Sequence, residues 1–344
     1  MLSQAAPLGV TQVARFSRAA SFSTSICWNR AAGRKARCVI VVNDERSSNM
    51  LTALRSLLPA LVLAAGISLA ADVEIIPDVV YGHKDGMALT FDVLKPKADA
   101  NGAAVLFMVS GGWVSAYRPP QQALAMFQDL LDKGFTVFPI RHGSSPKYVI
   151  PEIVADVRRA VRFIRHNAGR WGIDPDRLGA YGGSAGGHLA LVLGGASDGG
   201  NPSATEDFMK ASSRVAAVVA YFPPVDLRPL ARGLNPAPRE DGAPHRFPAL
   251  SFEKEKAADY SPIVHVSPDD PPTLLIHGDK DELVPVSNSQ RIYEAFQQHK
   301  VKSRMIIIEG AAHGFRGEDA KRATAAMVSW FEQTLARQSS TSQQ

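Results

Sequence analysis

A serine lies at the centre of the pattern Gly-x-Ser-x-Gly, in the segment Gly182-Gly183-Ser184-Ala185-Gly186. An apolar run precedes it, and a run of small and apolar residues follows, which predicts a strand, a sharp turn and a helix. Such a turn needs glycine because it holds the serine in a strained backbone conformation that exposes the hydroxyl. The hydroxyl of Ser184 is therefore a candidate nucleophile, and a plain glycine-rich turn is the alternative.

A serine hydroxyl needs a base to take its proton, and histidine suits this role because its pKa lies near neutrality. Among the nine histidines, His313 lies in a loop of small residues after the last predicted strand, from which it can reach Ser184. His188 lies on the helix that leads away from the serine, so we expect it to pack there. His142 and His277 end strands at the same edge of the predicted sheet, and we expect them to line or brace the site.

The base in turn needs a carboxylate that fixes its tautomer. Asp281 lies on the loop after the predicted strand 273–276 and is well placed to reach a histidine. Asp279 comes directly off the same strand and is expected to form a turn with nearby backbone N–H groups. Asp226 follows the preceding strand, and it is the main alternative to Asp281 as the acid.

Acyl transfer also places negative charge on the former carbonyl oxygen, and backbone N–H groups must face that oxygen. Ala185, directly after the serine, can supply one such group. The turn Ser110-Gly111-Gly112-Trp113 can supply others, because its glycines let a substrate come close to the backbone. We expect the shape of the substrate pocket to depend on Trp113 and His142.

The sequence contains no pattern that is typical of a metal or cofactor site. The histidines and acids lack a ligand spacing such as His-Glu-x-x-His, and there is no dinucleotide fingerprint or phosphate loop. Both cysteines, Cys27 and Cys38, lie near the N-terminus. We therefore predict no metal, no cofactor and no thiolate chemistry.

Apolar strands alternate with helical patterns from residue 73 onwards. This alternation is typical of an α/β fold with a mostly parallel, twisted sheet, helices on both faces and functional residues at the carboxyl edge. Each candidate residue follows a predicted strand in this way. An N-terminal antiparallel hairpin is predicted over 73–95, further strands over 103–109, 135–140, 178–181, 215–221, 273–276 and 305–308, and helices over 120–133, 150–166, 286–299 and 317–336.

Two segments of the chain are rich in arginine. The helix over 150–166 carries four arginines off its apolar face, and we interpret them as a solvated surface: Arg158, Arg159, Arg162 and Arg165. Residues 228–259 are rich in proline and arginine with little periodicity. They are long enough to act as a lid over the site, and a surface loop is the alternative.

The first 71 residues differ from the rest of the chain. Residues 50–71 combine a short basic start, an apolar stretch and small residues before a cleavage site near Ala70 or Ala71, which is typical of a signal peptide. The apolar stretch is short for a membrane span. We interpret residues 1–49 as a non-native or transit-like extension, and we expect a secreted or periplasmic location. The catalytic domain is expected over 72–337, with a polar tail over 338–344.

The basic character of the chain belongs to this N-terminal part. Residues 1–71 contain eight of the 38 Lys and Arg residues and two of the 33 acids, which leaves 30 basic and 31 acidic residues in the remainder. The remainder therefore gives no reason to expect nucleic acid as a partner, and we predict no stable membrane insertion of the mature chain. The sequence does not indicate an oligomeric state.

The chain resembles the α/β-hydrolase fold, and within it the esterase and lipase group related to hormone-sensitive lipase and to bacterial feruloyl and acetyl xylan esterases. The matching segments lie in the family's order of serine, acid and histidine, and they are spread over about residues 75–335. They are 109–113, 172–179, 182–190, 271–278 with Asp281 and the Val-Pro pair at 284–285, and 313–315.

This resemblance implies a serine carboxylic-ester hydrolase that acts on short-chain acyl or carbohydrate-linked esters through an acyl-enzyme. The implied roles are nucleophile for Ser184, acid for Asp281, base for His313, and oxyanion donors for Gly111, Gly112 and Ala185. The family's oxyanion turn usually reads His-Gly-Gly-Gly, whereas this chain has Val109 and Ser110 at its first two positions. A serine peptidase of the prolyl-peptidase type and a non-catalytic binding protein on the same fold are the alternatives.

Overall fold

An eight-stranded sheet forms the centre of the computed structural model, which describes residues 72–231 and 246–336. The predictions for residues 1–49, 50–71, the central part of 228–259 and 338–344 lie outside these ranges. In chain order the strands are β1 (Val73–Lys84), β2 (Met87–Pro96), β3 (Ala104–Met108), β4 (Thr136–Ile140), β5 (Leu178–Gly183), β6 (Ala217–Tyr221), β7 (Thr273–Gly278) and β8 (Ser303–Ile308).

The sheet is parallel except at its N-terminal edge. Its strand order is β1-β2-β4-β3-β5-β6-β7-β8. Strands β1 and β2 form the predicted antiparallel hairpin, β2 also runs antiparallel to β4, and every pair from β4 to β8 is parallel. Strands β3 to β8 therefore all end at one edge, and the loops after β3, β5, β6, β7 and β8 meet there.

Helices cover both faces of the sheet, and each face has its own hydrophobic core. The helices are α1 (Pro120–Leu131), α2 (Ile150–His166), α3 (Ala168–Trp171), α4 (Ala185–Gly195), α5 (Ser287–Gln298) and α6 (Gly317–Thr334). One core lies beneath α2, α4 and α5, and the other lies beneath α1 and α6. This arrangement explains why strands β3 to β6 are almost continuously apolar, since both of their faces are buried.

The fold predicted from the alternation of strands and helices is confirmed. Helix α2 has the predicted bounds, and the other predicted strands and helices differ from the observed ones by a few residues at their ends. Of the helices in the described ranges, none is both long enough and apolar enough to cross a membrane.

The interpretation of the α2 arginines as a solvated surface is wrong. None of the four is exposed, and Arg162 is buried. Three of them donate to backbone carbonyls of the segment that follows α4, including that of Ala211 (3.0 Å from Nε of Arg162), whereas Nε of Arg159 donates to the Tyr81 carbonyl on β1 (3.0 Å). Arg162 also pairs with Asp198, and Arg159 with Glu206. The periodicity of α2 shows which residues lie off its apolar face, but it does not show which other segments pack over those residues.

The C-terminal end of the proposed lid, residues 246–259, packs against the rest of the protein. Ala249, Phe252 and Ala257 are buried in the core beneath α2 and α4. The ring of Phe247 packs edge-on against Trp113, with the ring centroids 6.0 Å apart. This end of the insert is therefore anchored beside the predicted oxyanion turn. Whether the insert acts as a lid stays a prediction.

The hydrogen bond from buried Arg162 to the Ala211 carbonyl can be tested by mutation. Replacing Arg162 with methionine keeps the apolar stem but leaves the Ala211 carbonyl without its donor. We expect the free energy of unfolding, measured by urea denaturation, to fall by about 1–3 kcal/mol. The matched control is Arg322→Met at an exposed position on α6, which should change it by less than about 0.5 kcal/mol. Equal losses in the two variants would contradict the structural role.

Candidate active site

Ser184 lies in a strained turn between β5 and α4, as the Gly-x-Ser-x-Gly pattern predicts. Its backbone φ is 54° and its ψ is −119°. A Cβ atom at Gly182 would lie 2.5 Å from the carbonyl carbon of Gly186, and one at Gly186 would lie 2.7 Å from the carbonyl oxygen of Met108. Glycine is required at both positions because no larger residue fits between these backbones. The N–H of Ser184 donates to the Tyr221 carbonyl (2.9 Å), which anchors the turn to β6.

His313 and Asp281 are hydrogen-bonded at the same edge of the sheet. Nδ1 of His313 lies 2.7 Å from Oδ2 of Asp281. The carboxylate is fully buried, and its Oδ1 accepts the N–H groups of Leu283 and Val284, both at 2.9 Å. A buried carboxylate in this position holds Nδ1 of the imidazole protonated and leaves Nε2 as the basic nitrogen.

The loops that carry this pair are joined directly to each other. Oδ1 of Asp279 accepts the N–H of Gly310 (2.6 Å), and the N–H of Lys280 donates to the Ala311 carbonyl (2.9 Å). Asp279 therefore stabilises a turn through its side chain, as its position predicts, although its partner is on the neighbouring loop. These bonds fix the loop of the acid relative to the loop of the histidine.

His277 lies behind the acid and not in the position of a base. Its Nε2 lies 2.8 Å from the Val284 carbonyl and 3.3 Å from Oδ2 of Asp281, and its Nδ1 lies 2.7 Å from Oγ of Ser289. Burial lowers the pKa of His277 below its usual range. The ring braces the acid loop, in agreement with the position of His277 at the end of β7.

Asp226, the alternative acid, is paired with arginines. Its Oδ1 accepts Nε of Arg228 (2.8 Å), and its Oδ2 accepts Nη2 of Arg228 (2.9 Å) and of Arg291 (2.8 Å). The Arg228 guanidinium is the main reason that the pKa of this carboxyl lies well below its usual range. No imidazole in the described ranges bonds Asp226, so the geometry favours Asp281 as the partner of a histidine.

Phe222 lies between the serine turn and His313, a role that no sequence motif predicts. Its ring centroid lies 4.6 Å from that of His313. The same ring would lie 3.1 Å from a Cβ atom placed on Gly183. Phe222 has a φ of 37°, which is unusual for a bulky residue. It follows β6 directly, so only its position at the carboxyl edge could have suggested it.

The predicted oxyanion turn is a tight hairpin, and its hydrogen bonds change the expected role of Gly111. Gly111 and Val114 exchange two backbone hydrogen bonds, both of 3.0 Å. Gly112 and Trp113 between them have φ values of 58° and 61°, which is the pattern of a type I′ turn. The N–H of Gly111 is therefore engaged within the turn. In the described part of the chain, no acceptor binds the N–H of Gly112 or of Ala185.

Trp113 and His142 are both buried, so His142 braces the site, as its position after β4 predicts, and neither side chain offers the exposed pocket surface that was the other expectation. Their exposed fractions are 3% and 5%. Nε1 of Trp113 donates to Nδ1 of His188 (3.3 Å), and Nε2 of His142 lies 2.9 Å from Oγ of Ser110. Both side chains support the turn from beneath because the turn folds over them. His188 is fully buried, as its place on α4 predicts.

The imidazoles of His142 and His188 are neutral in the folded protein. Burial lowers the pKa of each from 6.5 to about 4. Between pH 6.5 and pH 4 the unfolded chain therefore binds more protons at these two residues than the folded protein does. Their effect on stability is small above pH 6.5, and it becomes increasingly unfavourable as the pH falls towards 4.

A family model described as BD-FAE matches residues 91–296, more than half of the chain. A probable carboxylic ester hydrolase of Mycobacterium tuberculosis, LipM, is 30% identical over 225 residues, which is 64% of this chain and 51% of LipM. This chain spans about half the length of the curated relatives LipM and LipQ.

Solved structures of esterases have a similar fold. A truncated carbohydrate esterase from gut microbiota has a TM-score of 0.60 and 27% identity, over 78% of this chain and 98% of that chain. An esterase of Thermogutta terrifontis has a TM-score of 0.60 and 27% identity, over 80% and 96% of the two chains. The same esterase is also solved in a form phosphorylated by paraoxon, to which this chain is 25% identical.

The tight packing around Ser184 predicts the effect of adding one methyl group. Gly186→Ala would place that group against the Met108 carbonyl, so α4 must move away from β3. We expect a lower melting temperature and a displaced serine, with labelling by a fluorophosphonate reduced at least about tenfold. Gly169→Ala is the control because no atom lies within 4 Å of its added Cβ. Normal labelling and stability of Gly186→Ala would contradict this packing.

The two neutral histidines predict a pH dependence of stability. We expect the free energy of unfolding to fall between pH 7 and pH 5 by about 1.4 kcal/mol per pH unit for each additional proton that the unfolded chain binds. His142→Gln removes one of these protons and should make the dependence shallower in urea denaturation at pH 7, 6 and 5. His83→Gln, at an exposed position, should leave it unchanged. If the free energy of unfolding depended on pH in the same way in the native protein and in both variants, His142 would not be neutral in the folded protein.

Proposed function

Because the chain belongs to the BD-FAE family, we propose that it is a serine ester hydrolase that works through an acyl-enzyme. The observation that carries this proposal is the bond between Asp281 and His313 at the edge where Ser184 occupies its strained turn. A nucleophile, a base and a buried acid on three neighbouring loops are the groups that acyl transfer requires. The esterases among its relatives and structural neighbours support the same activity.

In the first half of the proposed reaction, the hydroxyl of Ser184 attacks the ester carbonyl while Nε2 of His313 takes the hydroxyl proton. Asp281 stabilises the imidazolium that forms. Collapse of the tetrahedral intermediate breaks the bond to the alcohol, and His313 returns its proton to the departing oxygen. The products of this step are the free alcohol and an acyl group on Ser184.

In the second half, water takes the place of the alcohol. His313 removes a proton from the water as it attacks the acyl group, and then returns a proton to Oγ of Ser184. The carboxylic acid leaves, and the enzyme regains its starting state. No cofactor is needed in either half, since every proton moves between His313, Ser184, water and the substrate.

We assign the oxyanion donors in this mechanism to Gly112 and Ala185. Their N–H groups have no acceptor in the described part of the chain, whereas the N–H of Gly111 bonds Val114. Ala185 is also the first residue of α4, and the partial positive charge at a helix N-terminus favours an oxyanion. Each such donor typically accounts for about 10²–10³ in rate.

The proposed substrates are short-chain acyl esters and esters linked to carbohydrate. The carbohydrate esterase among the structural neighbours supports this class. A substrate series should therefore include p-nitrophenyl esters of increasing acyl length, acetylated xylan and methyl ferulate. Aminoacyl-arylamides serve as the comparison, because cleavage of these compounds alone would indicate a peptidase.

The roles of the serine and the acid can be tested together. We expect a fluorophosphonate to label the native protein and not Ser184→Ala, and we expect Ser184→Ala to lower kcat on p-nitrophenyl acetate at least about 10³-fold. Asp281→Asn should lower kcat by about 10⁴-fold because His313 then loses the carboxylate that orients it.

Asp226→Asn is the matched control for the acid, and it should retain kcat within about tenfold, since Asp226 bonds arginines and not an imidazole. A larger loss of kcat in Asp226→Asn than in Asp281→Asn would identify Asp226 as the acid. A folded native protein that neither reacts with the fluorophosphonate nor cleaves any ester in the series would refute the proposed activity.

A further inference from the structure

Two buried histidines lie on either side of the oxyanion turn, the hairpin of residues 110–114. His142 follows β4, and His188 lies in the first turn of α4. Each uses one ring nitrogen to bond a backbone carbonyl and the other to contact a side chain of the turn. The proposed mechanism gives neither of them a chemical step, so their shared arrangement needs another explanation.

The contacts of His142 fix which of its nitrogens carries the proton. Nδ1 lies 2.8 Å from the carbonyl oxygen of Gly143, which can only accept a hydrogen bond. Nδ1 of the neutral ring is therefore protonated, and Nε2 is the acceptor. The hydroxyl of Ser110 donates to this Nε2 over 2.9 Å. The single proton of Ser110 is thus directed away from the substrate and into the protein.

His188 has the opposite tautomer for an equivalent reason. Its Nε2 lies 2.7 Å from the carbonyl oxygen of Tyr260 and therefore carries the proton. Its Nδ1 accepts the indole N–H of Trp113 over 3.3 Å. An indole N–H can only donate, so this contact independently requires an unprotonated Nδ1. The bond connects the turn to both α4 and the segment that ends at Tyr260.

The oxyanion turn needs such support because its backbone is strained. Trp113 has a φ of 61°, a region that a bulky side chain enters at a cost of about 1–3 kcal/mol. The N–H of Gly112 faces a substrate only while this conformation is kept. Trp113 is held by its burial, by the ring of Phe247 and by its bond to His188. Ser110 is held at the other end of the turn by His142.

We propose that His142 and His188 are positioning residues that hold the oxyanion turn in its working conformation, His142 through Ser110 and His188 through Trp113. Both act as neutral hydrogen-bond acceptors. This inference rests on the proposed esterase function, because it assigns the turn to stabilisation of an oxyanion. It adds a requirement that is separate from Ser184, His313 and Asp281. The backbone N–H that the turn directs at the oxyanion must be held in place by contacts at both ends of the turn.

The kinetic test removes each group that donates a hydrogen bond to one of the two histidines. We expect Ser110→Ala and Trp113→Phe each to lower kcat by about 10- to 100-fold with KM within about twofold, because the oxyanion forms only in the transition state. Affinity for a boronic acid that mimics the tetrahedral intermediate should fall by a similar factor. Ser110→Thr keeps a hydroxyl and should retain most of the activity.

Matched controls separate positioning from general loss of stability. Ser213→Ala removes a buried hydroxyl that bonds Asp198, and Trp171→Phe removes a buried indole N–H that has no hydrogen-bond partner. Both should leave kcat and boronic acid affinity within about twofold, whatever their melting temperatures. The proposal fails if the turn variants keep native kcat, or if the controls lose as much kcat as the turn variants do.

A measurement that does not depend on activity distinguishes this proposal from the proposed function. In ¹⁵N-labelled protein, the indole N–H resonance of Trp113 is identified by its absence in Trp113→Phe. We expect this proton to exchange slowly with solvent in the native protein and at least about tenfold faster in His188→Leu. Unchanged exchange would refute the contact to His188. A native protein with a protected indole proton but no esterase activity would refute the proposed function and leave this contact intact.

Discussion

The strained backbone of Ser184 depends on the close approach of three chain segments. Gly182 on β5 lies directly against Gly186 on α4, and Gly186 in turn lies against the Met108 carbonyl at the end of β3. This packing brings the N-terminus of α4 to the edge of the sheet, beside the turn that follows β3. The serine, the N–H of Ala185 and the oxyanion turn are therefore positioned by the same contacts between backbones.

Much of the fold and the main site residues could be predicted because their signals are local. The apolar runs mark buried parallel strands, and parallel strands must end at one edge, so residues that follow different strands meet there. This rule predicts that Ser184, Asp281 and His313, which follow β5, β7 and β8, lie at the same edge of the sheet. His188 is likewise predicted to pack on α4, since a residue four positions after the serine continues along the helix.

The errors concern hydrogen-bond partners that the pattern of residue types does not specify. A glycine pair after β3 indicates a tight turn, but it does not show that the N–H of Gly111 donates to the Val114 carbonyl. A histidine at the end of β4 can face the substrate or the protein, and only the packed structure shows that His142 faces Ser110. The position of the Phe222 side chain is set by contacts with Gly183 at the end of β5 and with His313 on the loop after β8, so no pattern within its own segment could identify it.

The arginines of α2 have a consequence for how sequence can vary around this fold. Arg162 and Arg165 bond the backbone carbonyls of Ala211, Ser212 and Arg214, and Arg158 bonds that of Ala196. A carbonyl oxygen is present whatever side chain its residue carries. The segment after α4 can therefore accept many substitutions without losing these bonds, whereas each arginine has no simple replacement. Mutational tolerance should be high on the accepting side of this contact and low on the donating side.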